Sequence, residues 1–338
     1  MTEDKNVKAF AGAGGIEFDN SLRPRDLGEF VGQAALKKKL DICLRAAGGR
    51  EQPLDHLLFH GPPGLGKTTL AYIMAREMGV NIRCTSGPAL DKVGDLAAIL
   101  SSFSPGDVFF IDEIHRLKSS VEEALYPAME DFRLDIIIGE GPSAKTMQLP
   151  LPKFTLIGAT TRSGSLGSAL RDRFGIVERI GLYPPCELSE IIERSAGILK
   201  VQIKKDACFL IASRSRGTPR IANRLLRRVR DWTQVQGQDI ISSAAADEAL
   251  AVFGVDRNGL CEMDRKLLTV LIKNYNGGPA GLKTLEAALG EEAETISDVY
   301  EPYLIQEGYL ERTKAGRVVT LKARKKLGIK KEDGVELF

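Results

Sequence analysis

Short apolar runs alternate with helical stretches through the first half of the chain, and this alternation predicts a parallel sheet covered by helices. The apolar runs predict strands at Leu57–Phe59, Ile82–Thr85, Val108–Asp112, Phe154–Thr160 and Ile176–Ile180. Apolar residues at helical spacing predict helices at Asp26–Gly49, Thr68–Met78, Asp95–Phe103, Ser120–Asp131 and Ser168–Phe174. The predicted fold class is therefore α/β.

One segment of this first half departs from the alternation. Leu134–Ile138 and Lys145–Leu149 are two strand-like runs that flank the turn residues Gly139–Pro142. We interpret residues 134–152 as a β-hairpin inserted into the α/β domain.

The second half changes character after Pro184 and Pro185. Strand signals stop there, and helices are predicted at Glu187–Leu199, Lys205–Ser213, Pro219–Gln234 and Ala244–Phe253. After the Gly254–Gly259 segment, the predicted elements are the helices Cys261–Tyr275, Gly281–Leu289 and Glu294–Gln306 and a hairpin of Tyr309–Thr313 with Arg317–Leu321. Three helices followed by a hairpin indicate a winged helix, which is a helix-turn-helix variant.

These patterns divide the chain into four parts. We predict a polar, Gly-rich disordered arm (1–20), a large α/β domain (21–182), a small helical domain (183–254) and a C-terminal winged-helix domain (255–338). With 338 residues the chain is too long for one ordinary core, so several domains are expected on length alone.

Composition narrows the class of protein without identifying its partners. The chain is 43% hydrophobic and 27% charged, with a formal net charge of +2. These values are typical of soluble globular proteins. Its five cysteines are scattered without metal-ligand spacing, and no apolar run approaches the roughly 18 residues of a membrane span. Together with the absence of a targeting pattern near Met1, this predicts a cytoplasmic protein with reduced thiols.

The segment Gly61–Thr68 carries the most specific chemistry in the chain. Its sequence, GPPGLGKT, fits the phosphate-binding P-loop pattern G-x-x-x-x-G-K-[ST]. It follows a predicted strand and opens a predicted helix, which is the context that the motif requires. Backbone N–H groups of the loop would surround the phosphates, Lys67 would meet their charge, and the Thr68 hydroxyl would hold Mg²⁺. The chain is therefore predicted to bind a nucleoside triphosphate with Mg²⁺.

An acidic pair follows the third predicted strand. Asp112 and Glu113 end the apolar run that begins at Val108, and strands of open α/β sheets deliver such residues to the edge where ligands bind. Downstream of a P-loop, Asp112 is predicted to help to hold Mg²⁺ and Glu113 to activate the attacking water.

Two arginine-containing segments permit more than one interpretation. Arg171 and Arg173 lie just before the last predicted strand, where an arginine finger would supply positive charge to phosphoryl transfer, although surface arginines are ordinarily only solvated. Arg220 begins a helix that also carries further arginines. Spacing alone does not separate a solvated basic helix from one that places Arg220 on phosphates.

The end of the chain is strongly basic. Between Arg312 and Lys331 there are nine lysines and arginines and no acidic residue. On the wing of a winged helix such residues are predicted to contact DNA phosphates. No aromatic stacking platform accompanies them, so duplex DNA is favoured over a single strand.

Taken together, these motifs resemble those of the AAA+ ATPases. The residues that carry the resemblance are Gly61–Thr68, Asp112–Arg116, Gly158–Arg162, Leu170–Phe174 and Gly217–Arg224. Longer strings, including Gly61–Ala71, Ala128–Phe132 and Arg214–Arg228, are similar to those of the bacterial AAA+ motors that drive branch migration of Holliday junctions. The similarity extends from about Leu22 to Leu321, nearly the whole chain.

The resemblance implies a role for each matching residue. It places Thr161 at the polar sensor position, Arg173 as the arginine finger that acts on the neighbouring subunit's ATP, and Arg220 as the second sensor acting in cis. It places Tyr183 at the hinge between the ATPase domains. The implied nucleotide-binding (ATP or ADP) residues are Leu22, Arg23, Gly61, Pro62, Gly64, Leu65, Gly66, Lys67, Thr68, Thr69, Glu130, Asp131, Phe132, Arg173, Tyr183 and Arg220.

The resemblance also implies partners. Arg312 and Arg317 match DNA-contacting arginines, although the wing turn reads Thr313-Lys314-Ala315-Gly316 where the family pattern is Thr-Pro-Arg-Gly. The inserted hairpin at Ile136, Ile137 and Ile138 matches the element that docks RuvA, the junction-binding partner, and RuvC belongs to the same complex. A homohexameric ring on double-stranded DNA is implied.

The implied function is that of an ATP-dependent motor of Holliday-junction branch migration in homologous recombination and DNA repair. Two rival functions share the nucleotide motifs: a clamp-loader-like AAA+ ATPase and a nucleotide-gated DNA-binding switch. The winged helix and the inserted hairpin disfavour the clamp loader. ATP-dependent movement of a junction would separate a motor from a switch.

Overall fold

The computed structural model describes residues 21–50, 52–138 and 145–329. The chain divides into two compact units between Gly181 and Leu182. The predicted disordered arm (1–20) and the hairpin turn Gly139–Pro142 lie outside the described residues. Within the described ranges, no helix is both long enough and apolar enough to cross a membrane.

The first unit is built on a five-stranded sheet. Its strands are β1 (Leu57–His60), β2 (Ile82–Ser86), β3 (Val108–Asp112), β6 (Thr155–Thr160) and β7 (Ile176–Arg179). Every pairing in the sheet is parallel, and the strand order is β2-β3-β6-β1-β7. All six residues of β6 are buried, as expected of a parallel strand covered on both faces. The α/β class predicted from the alternating pattern is confirmed.

The helices of the first unit agree with the predicted ones to within a few residues, with one exception. They are α1 (Ala34–Arg50), α2 (Lys67–Glu77), α3 (Val93–Leu100), α4 (Ser119–Glu130) and α5 (Ser168–Arg171). Helix α1 begins eight residues after the predicted Asp26. Asp26 instead closes a turn by accepting a hydrogen bond from the Glu29 N–H at 2.8 Å, and Gln33 has a left-handed backbone (φ 50°) that ends this segment.

The predicted inserted hairpin is present. Within the described residues, strands β4 (Arg133–Ile138) and β5 (Lys145–Pro150) pair with each other alone, and Ile136 lies opposite Met147. Leu134 is fully buried and anchors the hairpin in the core of the first unit.

The second unit begins with four helices. They are α6 (Pro185–Ile198), α7 (Lys205–Ser213), α8 (Pro219–Val235) and α9 (Ser243–Val252). Two short strands, β8 (Gln202–Ile203) and β9 (Ile240–Ile241), pair in parallel between them. The expectation that strands would be absent here is therefore wrong. A strand of two residues is too short to produce a detectable alternation of apolar and polar residues.

The remainder forms the predicted winged helix around its own apolar core. Its elements are α10 (Glu262–Tyr275), α11 (Leu282–Leu289), a helix from Ala293 to Gln306 with a π-helical segment at Ile296–Tyr300, β10 (Leu310–Thr313), β11 (Gly316–Val319) and α12 (Leu321–Leu327). Helix α12 was not predicted. The Thr320 hydroxyl caps it by accepting a hydrogen bond from the Ala323 N–H, so β11 ends at Val319 and not at Leu321.

Candidate functional site

The P-loop leaves the carboxyl end of β1 and enters α2. Gly61 and Gly66 both have positive φ, at 145° and 102°. A Cβ at Gly61 would collide with the carbonyl oxygen of Ile180, and one at Gly66 would press on the ring of Phe30. The two glycines are therefore required by the path of the loop. They leave the first N–H groups of α2 directed toward the place where phosphates would lie.

Lys67 is packed into this loop. Its ammonium group donates hydrogen bonds to the carbonyl oxygens of Gly61 (2.7 Å) and Pro62 (2.9 Å), and the residue is only 7% exposed. Thr68 and Thr69 follow it in the first turn of α2, and Leu65 is fully buried below the loop. The lysine is thus held at the loop by two backbone carbonyl oxygens, close to the N–H groups that would surround the phosphates.

The electrostatic environment at the end of β1 is positive. Burial lowers the pKa of His60, and the nearby charges of Arg171, Arg179 and Lys67 lower it further, with Glu178 acting in the opposite direction. Cations that disfavour a protonated imidazole favour an anionic ligand at the same place. The site is therefore suited to phosphate.

The acidic pair lies at the same edge of the sheet as the P-loop, with one strand between them. Strand β3 ends in Asp112, and β6 lies between β3 and β1. Asp112 Oδ1 accepts a hydrogen bond from the Glu113 N–H at 3.0 Å, and Glu113 has a left-handed backbone (φ 48°). This turn separates the two carboxylates, so that they can perform different tasks.

Polar residues at the end of β6 contact the Glu113 carboxylate. The Thr161 hydroxyl donates a hydrogen bond to Glu113 Oε2 at 3.2 Å, and His115 Nδ1 lies 3.2 Å from the same oxygen. His115 Nδ1 also lies 2.9 Å from the hydroxyl of Thr160. Thr161 is thus adjacent to the predicted water-activating residue, as its predicted sensor position requires, and His115 is a contact that sequence reasoning missed.

The residues present fit Mg²⁺ bound together with a nucleotide. Thr68 offers a hydroxyl and Asp112 a carboxylate, which are the hard oxygen ligands that Mg²⁺ prefers. Among the described residues there is no cluster of three or more His, Cys, Asp or Glu side chains that could hold a metal by itself. A Mg²⁺ ion at this site would therefore depend on phosphate oxygens and water for its remaining ligands.

The predicted finger, Arg173, follows α5. Its Nη1 donates to the carbonyl oxygen of Ala169 at 2.6 Å, and its Nη2 donates to Glu130 Oε2 at 3.3 Å. The guanidinium carbon lies 4.3 Å from the centre of the Tyr126 ring. The structure thus brings Arg173 together with Glu130, which the resemblance places beside the nucleotide.

The two residues after Glu130 have local partners. Asp131 forms an exposed ion pair with Arg133 at 3.2 Å. The Phe132 ring packs against Phe154 and His56, with centroid distances of 5.9 and 6.5 Å. The ring of Phe132 therefore packs against the core of the first unit, and the contact of this residue with nucleotide stays a prediction.

The N-terminal segment packs against helix α2. Leu22 is buried, and the Arg23 guanidinium lies over the ring of Tyr72 at 5.8 Å. Phe30, which was not predicted, lies against Gly66 of the P-loop. This segment therefore contacts both helix α2 and the P-loop.

Tyr183 and Arg220 belong to the second unit. Tyr183 is buried, which raises the pKa of its phenol, and its backbone N–H donates to the carbonyl oxygen of Gly217 at 2.9 Å. Arg220 is exposed in the first turn of α8. Just before it, Arg216 has a left-handed backbone (φ 56°) and pairs with the fully buried Asp264 of α10, so the loop that leads to Arg220 is fixed to the winged-helix part.

The two predicted DNA-contacting arginines have different environments. Arg312 is exposed on β10. Arg317, opposite it on β11, is only 7% exposed and forms a two-point ion pair with Glu301, with Nε–Oε1 at 2.6 Å and Nη2–Oε2 at 3.2 Å. The charge of Arg317 is thus used inside the domain, and its contact with DNA phosphate stays a prediction. The Lys314-Ala315 turn closes between Thr313 and Gly316.

The predicted RuvA-docking residues lie on β4. Ile136 is partly buried against the core of the first unit, whereas Met147 across from it is 47% exposed. The side chains of Ile137 and Ile138 are outside what the structure describes. The hairpin therefore presents apolar surface at Met147, a residue that the prediction did not include.

Comparisons with known proteins agree with this geometry. Residues 22–180 match the family described as "Holliday junction DNA helicase RuvB P-loop domain", residues 183–256 the "RuvB AAA lid domain" and residues 257–328 the "RuvB C-terminal winged helix domain". A Holliday junction branch migration complex subunit RuvB from Kosmotoga olearia is 57% identical over 94% of this chain and 93% of its own. One from Oleidesulfovibrio alaskensis is 57% identical over 92% of this chain and 97% of its own.

Solved structures give the same result. The RuvB Holliday junction branch migration motor of Thermotoga maritima is 52% identical, with a TM-score of 0.85 over 92% of this chain and 99% of that one. Both the sequence and the arrangement of elements are therefore shared over nearly the full length of these relatives.

Proposed function

The chain belongs to the RuvB family, and from this premise we propose that it is the ATP-hydrolysing motor of Holliday-junction branch migration. The observation that carries the proposal is the edge of the sheet in the first unit. There the P-loop of β1, the acidic pair of β3 and the Thr161 hydroxyl after β6 lie on neighbouring parallel strands. This is the arrangement required for ATP hydrolysis.

Each residue at this edge has a separate task in the proposal. Lys67 and the backbone N–H groups of the P-loop bind the phosphates, and Thr68 and Asp112 would hold Mg²⁺. The ion supplies charge neutralisation at the phosphate oxygens. Glu113 orients a water molecule and accepts its proton, and Thr161 holds the carboxylate in place through the hydrogen bond described above.

We propose that hydrolysis needs a second copy of the chain. Arg173 would supply its charge to the ATP of a neighbouring subunit in a ring, which the sequence resemblance predicts to be a hexamer. Support comes from its described hydrogen bonds, which go to Ala169 and Glu130 and not to its own P-loop. Tyr183 and Arg220 as nucleotide contacts remain predictions from the sequence.

We propose that the winged helix binds the DNA. Arg312 and Lys314 on the hairpin and Lys325 and Lys326 on α12 are exposed. Phosphate contacts of this kind bind duplex DNA without reading its sequence, which is what a motor that moves along any sequence needs. Lys330 and Lys331 lie outside the described residues.

The inserted hairpin is proposed to dock RuvA through its apolar side. Support comes from the exposed Met147, since a flexible, polarisable side chain suits an adaptable interface. We also propose that RuvC joins the same complex and that the protein is cytoplasmic. Both proposals rest on family membership alone.

The decisive experiment is dissociation of a synthetic Holliday junction by the purified chain with RuvA. We expect dissociation only when ATP and Mg²⁺ are both present and none with Glu113→Gln. A nucleotide-gated switch would instead bind the junction in an ATP-dependent way without dissociating it. A clamp-loader-like ATPase would hydrolyse ATP without either effect.

A further inference from the structure

The guanidinium of Arg173 is engaged by its own subunit in two different ways. Along its N–H edge, Nη1 donates to Ala169 and Nη2 to Glu130. The second oxygen of the Glu130 carboxylate lies 3.2 Å from Nε. This Nε is buried but makes no hydrogen bond, so the geometry of the ion pair on the N–H edge is not ideal. On its face, the group stacks on the Tyr126 ring, 4.3 Å from the ring centre.

These two kinds of contact have different consequences for a finger. Phosphate oxygens must be met by the N–H edge, so the contacts with Glu130 and Ala169 have to be exchanged when Arg173 acts. The attraction between a cation and an aromatic ring acts through the face and leaves the edge free. The ring contact can therefore persist while the edge changes partners.

Tyr126 is itself well fixed. Its hydroxyl donates to Glu122 Oε1 at 3.0 Å, and its ring is partly buried against the core of the first unit. Glu122, Tyr126 and Glu130 are spaced four residues apart on α4, so they lie along one face of the helix. The Glu122 carboxylate also lies against Gly167, the residue just before α5. Glu122 therefore fixes the Tyr126 ring on α4 and places it next to α5, the helix that precedes Arg173.

We propose that Tyr126 is a positioning residue for the arginine finger: its ring fixes the plane of the Arg173 guanidinium, so that the N–H edge is presented to ATP on the neighbouring subunit. The inference rests on the proposed function, in which Arg173 acts across a subunit interface. A long arginine side chain loses several rotamers when it binds, and a ring that has already ordered it removes part of that cost.

The test uses mixed rings in which only one kind of interface can work. Arg173→Ala subunits keep Lys67 and act as acceptors, whereas Lys67→Ala subunits keep Arg173 and act as donors. ATP hydrolysis by the mixture then reports a donor arginine acting on acceptor ATP. Tyr126→Leu, which keeps apolar bulk without a ring, and Tyr126→Phe, which keeps the ring without the hydroxyl, are placed in either the donor or the acceptor.

In the donor, Tyr126→Leu is expected to lower the restored kcat by about five- to tenfold, with KM for ATP unchanged, because one partly buried cation–ring contact is lost. Tyr126→Phe in the donor should stay within about twofold of the unmodified pair. In the acceptor, Tyr126→Leu should have no effect, since no finger is present there to be positioned. Melting curves of each variant establish that it is folded.

Two results would overturn the inference while leaving the proposed function intact. One is equal activity with Tyr126→Leu and unmodified donors. The other is an equal loss in donor and acceptor placements, which would give Tyr126 a purely structural role. Failure of the unmodified donor and acceptor to restore hydrolysis despite co-assembly would instead remove the finger in trans, and the inference with it.

Discussion

The edge of the parallel sheet and the C-terminal hairpin are both rich in charge, but they differ in what determines where each charge lies. At the sheet edge, His60 pairs in register with Thr160, and β3 delivers Asp112 to the same edge. On the hairpin, Arg312 and Arg317 are directly opposite, yet one is exposed and the other is buried against Glu301. The position of each residue on its strand determines where the charges of the sheet edge lie. On the hairpin, pairing with a distant residue, Glu301, determines which arginine is exposed.

A pattern of charged residues therefore predicts contacts only where a motif also places the side chains. A motif that couples side chains to strand ends carries its own geometry. A count of basic residues does not, because it cannot show which of them already have a partner.

The largest expected effect concerns the sheet edge. Glu113→Gln should reduce single-turnover ATP hydrolysis by about 10²- to 10⁴-fold, since the amide cannot accept a proton from water. Binding of a fluorescent ATP analogue should be retained, because the P-loop is unchanged. Lys67→Ala is the matched control and should lose the binding itself. Wild-type hydrolysis by Glu113→Gln would show that another group activates the water.

A loss of stability is expected when the buried pair of the hairpin is broken. Arg317→Ala leaves Glu301 buried without its partner and should lower the free energy of unfolding by about 3–5 kcal/mol. The double variant Arg317→Met with Glu301→Leu should recover most of this loss. Arg312→Ala should change stability by less than about 0.5 kcal/mol. Urea unfolding measures all three, and equal effects of Arg312→Ala and Arg317→Ala would contradict the distinction between them.

The exposed basic residues of the hairpin should act on DNA affinity alone. Arg312→Ala with Lys314→Ala should weaken duplex binding to a similar extent for unrelated sequences. Each lost phosphate contact should make the dependence of log K on log salt concentration shallower by about one unit. Fluorescence anisotropy at several salt concentrations tests this. A loss confined to one sequence would mean that the hairpin reads bases.

The smallest effect comes from His56, at the base of the sheet. Its Nδ1 accepts a hydrogen bond from the Leu156 N–H at 2.8 Å, and its Nε2 lies 3.0 Å from the Met129 carbonyl oxygen. A neutral ring satisfies both contacts, and burial lowers the pKa of His56 from 6.5. The unfolded chain therefore binds more protons than the folded chain below pH 6.5, so stability should fall as the pH falls through this value.

Urea unfolding between pH 5.5 and 7.5 measures that dependence. His56→Gln keeps a donor and an acceptor without titrating, so its stability should depend less on pH. Some dependence should remain because the pKa of His60 is lowered as well. If His56→Gln and the wild type had the same dependence, His56 would not be its source.

The sheet and the position of the P-loop and the Asp112-Glu113 motif could be predicted from the sequence, because the central strands β1, β3 and β6 contain apolar runs and both motifs lie at strand ends. Helix boundaries were less certain where a side chain closes a turn, as Asp26 does before α1. Two-residue strands such as β8 left no pattern to detect.

Contacts between distant residues could not be predicted. Arg216 pairs with Asp264, 48 residues away, and Arg173 with Glu130, 43 residues away. Neither pairing leaves a local signal, since it depends on how the helices pack. Tyr126, His115 and Glu301 were missed for the same reason, although an aromatic residue one helical turn before the predicted Glu130 could have drawn attention to Tyr126.

We propose that ATP hydrolysis at the sheet edge and binding of DNA by the C-terminal hairpin are separate steps of one motor. The most direct measurement is the number of ATP molecules hydrolysed per Holliday junction dissociated, with RuvA present, for the wild type, Glu113→Gln and the Arg312→Ala, Lys314→Ala double variant. We expect Glu113→Gln to abolish both activities. The double variant should keep its ATP hydrolysis in the absence of DNA and consume several times more ATP per junction. An unchanged ratio in the double variant, with hydrolysis and dissociation falling together, would contradict the claim.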